Sequence, residues 1–261
     1  MRTKLILFLS VVLSAASAHA ADWAKTFTVN GVPELRVDAN DGSVRVTGWD
    51  RKDVEARVIV TGWGIGTADG VRVEDHQTGD KVEITVRVPH INFTYGTKHV
   101  VVEINVPRKS NLDLHSGDGS IRVDHVAGVQ KLDTGDGSIE TNGADGALDA
   151  QTGDGHILAI GRFDALRLRT GDGHIEAEIA NGSRNTASWS IRTSDGHVTL
   201  RLPEGFAADL DASTGDGGVV VDMPIATTGN LKGDSIRGKM NGGGPLLEVR
   251  TGDGAIRIAR L

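Results

Sequence analysis

Three histidines, His156, His174 and His197, each stand two residues after an aspartate, Asp154, Asp172 and Asp195, in copies of one short motif. Neutral imidazole with carboxylate support is a usual ligand set for divalent transition metals. If the copies stack as strands, the imidazoles line up about 4.8 Å apart beside a column of carboxylates. The equivalent positions in other copies are Ser120, Ser138, Gly218 and Ala255, so histidine occupies only some copies of the column. The favoured reading is a solvated stack. No metal and no cofactor are assigned, and His156, His174, His197, Asp154, Asp172 and Asp195 are the candidates should zinc, nickel or another ion bind.

Two further chemistries use the same carboxylates. Calcium held between Gly- and Asp-rich turns requires a nine-residue G-G-x-G-x-D period, whereas here one turn per copy carries the aspartate. One carboxylate per copy also falls short of the six to eight oxygens that calcium takes. The second chemistry is polysaccharide cleavage of the β-helix type, for which Asp113, Asp133 and Asp149 near Arg167 and Arg169 could be paired on paper. With 35 acidic residues in regular columns such pairs arise by chance, and an aromatic content of 4% leaves few platforms for sugar stacking. No nucleophile elbow, phosphate-cradling loop or metal-ligand helix motif is present. No catalytic residue is assigned.

These residues are positioned by an internal repeat. Its marker aspartates are Asp118, Asp136, Asp154, Asp172, Asp195, Asp216, a degenerate Asp234 and Asp253, spaced 18, 18, 18, 23, 21, 18 and 19 residues apart, with an outlying copy at Asp41. Three residues after the aspartate come Ile121, Ile139, Ile157, Ile175, Val198, Val219 and Ile256. Four before it stand Leu114, Leu132, Ala150, Leu168, Ile191, Ala212 and Val249. Polar residues separate these columns, and alternation of period two on both sides of a glycine-containing turn is the mark of half-buried strands. One strand–turn–strand–turn unit cannot bury its apolar face alone, but a stack can. At roughly 3.3 Å per residue, 18 residues trace about 60 Å, the circuit of one solenoid coil, and eight coils make a rod of roughly 40 Å.

The sequence therefore predicts an all-β, right-handed parallel β-helix (β-solenoid) of ~18-residue coils with Gly-Asp-Gly turns, the hand being the usual one for parallel crossovers. Each coil is expected to pair with the next in the chain. Aspartate in such a turn is expected to accept backbone N–H groups two residues on. Ser116, Thr134, Thr152, Thr170, Thr193, Thr214 and Thr251 share the parity of the buried positions, so their hydroxyls are expected to satisfy turn backbone or one another.

Residues 1–20 read as a secretory signal peptide: Arg2 and Lys4, the apolar run Leu5 to Leu13, and small residues at Ala18-His19-Ala20. That run is too short to span a membrane, and no other segment approaches the length needed. No cysteine occurs, so disulfides, thiol chemistry and a lipid-bearing cysteine are excluded. The net charge is −7, and removing the two leader cations leaves −9. This argues against nucleic acid as a partner.

Residues 21–107 read as an N-terminal β region that caps the solenoid of residues 108–261. It holds one solenoid-like coil, Leu35 to Val46, then alternating stretches around Val54 to Val60, Val82 to Val88 and Val102 to Val106, joined by loops at Thr61 to Gly70 and His90 to Lys98. Such a cap would cover an edge otherwise ready to pair. The coil ending at Leu261 shows no evident cap.

The early Val-Arg-Val strand of residues 44–46, the stretch VVEINVPRKSNLDLHSGDGSIRV of residues 101–123 and the recurring TGDGxI turns resemble the bacterial putative-adhesin family of unknown function built of β-strand repeats. The resemblance runs from about Phe27 to Leu261 and implies a β-helix-like fold at the cell envelope with no assigned catalytic residues. The functional expectation is a non-catalytic, exported, adhesin-like binding or structural module, periplasmic or at the bacterial cell surface. Its partner would be an envelope protein, a glycan or further copies of itself. The alternatives are a polysaccharide-acting β-helix enzyme and a calcium- or zinc-dependent binding surface.

Overall fold

The computed structural model describes residues 21–61, 70–89, 99–227 and 233–261, and every regular element in them is a strand. The first nine are β1 (Ala21–Thr28), β2 (Glu34–Ala39), β3 (Ser43–Trp49), β4 (Asp53–Thr61), β5 (Arg72–Thr78), β6 (Lys81–Arg87), β7 (His99–Pro107), β8 (Asn111–Ser116) and β9 (Ile121–Asp124). There follow β10 (Ala127–Thr134), β11 (Ile139–Thr152), β12 (Ile157–Thr170), β13 (Ile175–Ile179), β14 (Trp189–Asp195) and β15 (Val198–Leu202). The last are β16 (Ala208–Asp216), β17 (Val219–Asp222), β18 (Ile225–Thr227), β19 (Ser235–Met240), β20 (Leu246–Asp253) and β21 (Ile256–Arg260). The leader of residues 1–20, and most of the two loops expected in the N-terminal region, lie outside the described residues.

Each motif copy supplies one arm before its Gly-Asp-Gly turn and one after it. Like arms pair in parallel, residue for residue: Leu132 with Leu114 and Ala150, Ile157 with Ile139 and Ile175. The arms before the turn stack as β2, β8, β10, the second half of β11, the second half of β12, β14, β20 and β16, with β6, which belongs to no motif copy, parallel on the outer side of β2. The arms after it stack as β3, β9, the first halves of β11 and β12, β13, β15, β21 and β17, with β7, also of no motif copy, parallel on the outer side of β3. The result is an all-β, solenoid-like pile of coils.

The pile follows chain order only from Asp118 to Asp195. At one end the first coil, β2 and β3, lies between β6/β7 and β8/β9. At the other the last coil, β20 and β21, lies between β14/β15 and β16/β17. The coil that was expected to end the rod uncapped is therefore covered on both sides. The degenerate copy at Asp234 makes no coil: β19 follows it and runs antiparallel to β16, with β18 antiparallel beyond. Opposite, β6 carries antiparallel β5, and β7 carries antiparallel β4 and then β1. Reversed strands at both ends interrupt the parallel register that another coil would need to add on.

Parity decides what is buried. Val44, Ile121, Ile139, Ile157, Ile175, Val198, Ile256 and Val219 form one inward column, and Val37, Leu114, Leu132, Ala150, Leu168, Ile191, Val249 and Ala212 another, all within the core. Trp189 fills the place that leucine takes in other coils, is fully buried, and meets Phe206 at 5.1 Å between ring centroids. Gln130 occupies the same column and stays buried by donating to Val126 O at 2.8 Å.

Candidate functional site

The turn is built by its glycines and its hydroxyl. Successive coils approach so closely that a Cβ on Gly155 would lie 2.1 Å from Gly137 O of the coil below, and one on Gly137 would lie 2.2 Å from Gly119 O. In every turn but that of Asp41, where Ala39 takes the place, the residue two before the aspartate carries a buried hydroxyl that bonds across coils. Thr134, Thr152, Thr170 and Thr193 donate at 2.8 Å to Gly119, Gly137, Gly155 and Gly173 respectively, and Ser116 donates to Gly42 O at 2.9 Å. A carbonyl buried in a turn otherwise loses water without a replacement. The hydroxyls supply it, as their parity predicts.

The aspartates do not. Among the described residues the carboxylates of Asp41, Asp118, Asp136, Asp154, Asp172, Asp195, Asp253 and Asp216 take part in no hydrogen bond or ion pair, and all eight are exposed. The expectation that they hold the bend is corrected: the hydroxyl reaches the turn from inside, leaving the carboxylate to point into water. In stacking order these eight form a ridge along one flank, with neighbours at strand spacing and a total run of roughly 34 Å.

Other charges behave oppositely. On the arm before the turn Asp38 is held by Arg87 at 2.8 and 2.9 Å, Asp133 by His115 at 2.8 Å and Asp211 by Arg237 at 3.2 Å. On the arm after it Arg122 bonds Glu140 at 3.0 Å, Arg257 bonds Asp222 at 2.7 Å, and Arg201 joins Glu176 and Glu178. Arg162 binds both Asp145 and Asp164, which raises its pKa further and lowers that of Asp164. Several partners, such as His115 with Asp133 or Arg122 with Glu140, lie 18 residues apart in one column. The repeat spacing could have identified them.

The histidines stack as the spacing requires. His156 and His174 lie 5.1 Å apart with rings inclined by 6°, and His174 and His197 lie 4.8 Å apart with rings inclined by 7°. His156 Nδ1 pairs with Ser138 Oγ at 2.9 Å, and its Nε2 is 3.8 Å from Glu140. Burial first, then the neighbouring His197 and His156, push the His174 pKa below the ordinary imidazole value, against the pull of Glu176. Rings held parallel at strand spacing keep like nitrogens about 5 Å apart, whereas two on one zinc lie within about 4.2 Å. Among the described residues no group of three or more His, Asp or Glu side chains gathers to hold an ion.

The carboxylates that could be paired for catalysis face arginines or a histidine instead. Asp113 faces Arg36 at 3.6 Å, Asp133 faces His115, and Asp149 faces Arg167 at 3.9 Å. Arg169, Arg192 and Arg250 fall in register on three adjacent coils and line a groove of about 720 Å³ beside the ridge. Arg192 and Arg250 share Glu248. The insertion Ala180 to Ser188 adds no titratable pair: Ser183 bonds Ala180 O and Phe163 N, and Asn185 reaches Pro245 O.

Stacked parallel arms, reversed strands at both ends and flanks of cross-coil ion pairs define an all-β, solenoid-like protein. The chain belongs to the Toastrack DUF4097 family, which matches residues 32–259. Among solved structures it is similar to a putative adhesin from Bacteroides fragilis at TM-score 0.51 and 11% identity, over 94% of this chain and 99% of that one. It is also similar to a putative cell adhesion protein from Clostridium sporogenes, at 0.45 and 16% over 93% and 100%. A putative lipid binding protein from Parabacteroides distasonis matches at 0.45 and 11% over 92% and 97%. The likeness is one of fold. No curated protein matches the chain.

Proposed function

We propose that this is a non-catalytic, exported binding module of the bacterial envelope, periplasmic or at the cell surface, adhesin-like in role, with an envelope protein or glycan as partner. The same reading takes its coils as right-handed, the usual hand of parallel crossovers, and residues 21–107 as the capping region of the repeats that follow. The observation that carries it is the aspartate ridge. Eight like charges at strand spacing oppose the fold, and none is used to hold a turn. Charges arranged so serve the solvent side, where they steer and orient a partner carrying the opposite charge. The enzyme alternative finds no support in carboxylates already matched with Arg36, His115 and Arg167. Among the described residues no helix is long and apolar enough to cross a membrane.

The test has two parts. Cell fractionation followed by mass spectrometry of the N-terminus should find the chain outside the cytoplasm and beginning at Ala21. Chain from Ala21 should sediment with purified envelope material, and the ridge variant D136N/D154N/D172N/D195N should sediment severalfold less. A cytoplasmic, full-length protein would end the export reading. Envelope binding that is indifferent to the four substitutions would remove the ridge as the contact surface.

A further inference from the structure

The coil of β20 and β21 comes later in the chain than both coils that flank it. Its arms fill a slot with strand edges on both sides: β14 and β16 bracket β20, and β15 and β17 bracket β21. The slot accepts this sequence for reasons that can be named. Leu247 and Val249 sit between Trp189 and Ile191 on one side and Leu210 and Ala212 on the other. Thr251 donates to Gly196 O at 2.8 Å, and Thr214 donates to Gly254 O at 2.8 Å. With the insert withdrawn, four strand edges and these two bonds would be left open, and edges of that kind take up a matching strand from wherever one is available.

The tether that keeps the insert in its own molecule is short and special. β16 lies between β19 on its outer side and β20 on its inner side, so residues 241–245 must arch over the beginning of β16. The arch is Asn241-Gly242-Gly243-Gly244-Pro245, with φ of 45° at Asn241, 89° at Gly242 and 87° at Gly243. It is pinned to β16 and to the segment leading into it by Gly244 N to Asp209 Oδ1 at 3.2 Å and Asn241 Nδ2 to Phe206 O at 2.9 Å. Two strand spacings are about 9.5 Å, which five residues cross with enough slack to curve.

We infer that this slot is a strand-exchange site, and that residues 246–260 of a second copy of this chain occupy it in place of the chain's own, giving a reciprocal dimer. The exchanged and unexchanged forms make the same contacts everywhere except in the arch, which is why exchange of an element is a low-cost route to a dimer. The arch therefore sets the balance. Deleting Gly242 to Gly244 leaves three Cα steps, at most about 11 Å, to cover the strand spacings and the curve over β16. Closure within one molecule then requires a stretched chain, while closure between two does not.

Two experiments on the full chain decide the matter. The variant lacking Gly242 to Gly244 should double its mass in size-exclusion chromatography with light scattering while keeping its strand signal in circular dichroism. A folded monomer would overturn the inference. Should that variant fail to fold, the unaltered arch carries the test. The chain has no cysteine, and Arg192 and Arg250 are in register on adjacent strands. R192C and R250C chains, unfolded together and refolded at high concentration, should give a covalent heterodimer with a short thiol cross-linker, severalfold above either variant alone. The R192C/R250C double variant, linked within one chain, shows that the geometry permits the reaction. A mixed sample that links no more than its components excludes exchange.

Discussion

Thr214 Oγ1 donates to Gly254 O at 2.8 Å, although Gly254 lies 40 residues further along the chain. Thr152 makes the same bond at 2.8 Å to Gly137, which lies 15 residues earlier. The contact is one contact with its chain direction reversed. What ties a coil to its neighbour is the hydroxyl beneath the turn, and it ties whichever coil the topology places there.

Thr152 gives the direct measure of that tie. Its hydroxyl donates to Gly135 O at 3.2 Å and Gly137 O at 2.8 Å and accepts from Gly155 N at 3.3 Å, with the residue 2% exposed. Thr152→Val keeps the shape and the β-branching but leaves these groups dry, at a cost of about 1–3 kcal/mol. Asp154→Asn, two residues away on the surface, should cost no stability, because its carboxylate bonds nothing in the turn and lies between two like charges. Urea unfolding of both variants checks the order. If the aspartate variant were the weaker of the two, the turn would be held by the carboxylate after all.

Gly155 tests the spacing between coils. A Cβ there meets Gly137 O at 2.1 Å and its carbonyl carbon at 2.6 Å, both backbone atoms that cannot swing aside. Gly155→Ala should cost at least about 1–3 kcal/mol, the range for overpacking, as read by the denaturation midpoint. A variant as stable as the parent would mean that the coils can separate locally without penalty.

How much of this was visible in the residues follows from what the repeat encodes. Alternation on both sides of the glycine turn placed the Ile157 and Leu168 columns inside, and the equal 18-residue spacing brought His156 over His174, because side-chain parity and strand spacing are local properties. The family resemblance drawn from the TGDGxI turns is borne out. The stacking order was not visible. Every coil presents nearly the same columns to its neighbours, so Leu247 fits against Ile191-bearing β14 as well as Leu210 would. The choice is made by the arch at 241–245 and by the reversal at β19. The free state of the turn aspartates was missed for a related reason: Asp in a turn is an ordinary hydrogen-bond acceptor, and only the depth of the threonine hydroxyl shows that the position was already served.

The histidine stack makes stability depend on pH. His174 has its pKa lowered by burial and by its stacked neighbours His197 and His156, with Glu176 opposing. The unfolded chain therefore binds a proton more readily than the folded one in the window below the ordinary value of about 6.5. Stability is fully present above that value and is lost as pH falls from it through the lowered folded value. His174→Asn should flatten this limb while leaving the stability above pH 7 nearly unchanged. Unfolding free energies of both proteins across the limb read the difference, and parallel curves would show that the stack titrates like free imidazole.

The aspartate ridge predicts a dependence on salt with an unusual sign. Surface ion pairs elsewhere on the protein weaken as salt rises, but the ridge is made only of like charges with no partner among the described residues. Each neighbouring pair at strand spacing opposes folding by up to about 1 kcal/mol in water without salt, and salt screens it within about 10 Å at 0.1 M. Neutralising three adjacent members, D136N/D154N/D172N, should raise the melting temperature at low ionic strength, and that gain should fade as sodium chloride is added. Differential scanning calorimetry across the salt series separates the two contributions. A gain that persists in molar salt would point to a local effect of asparagine in the turn. No gain at low salt would mean that the side chains splay far enough to avoid one another, and the ridge would then place no strain on the fold.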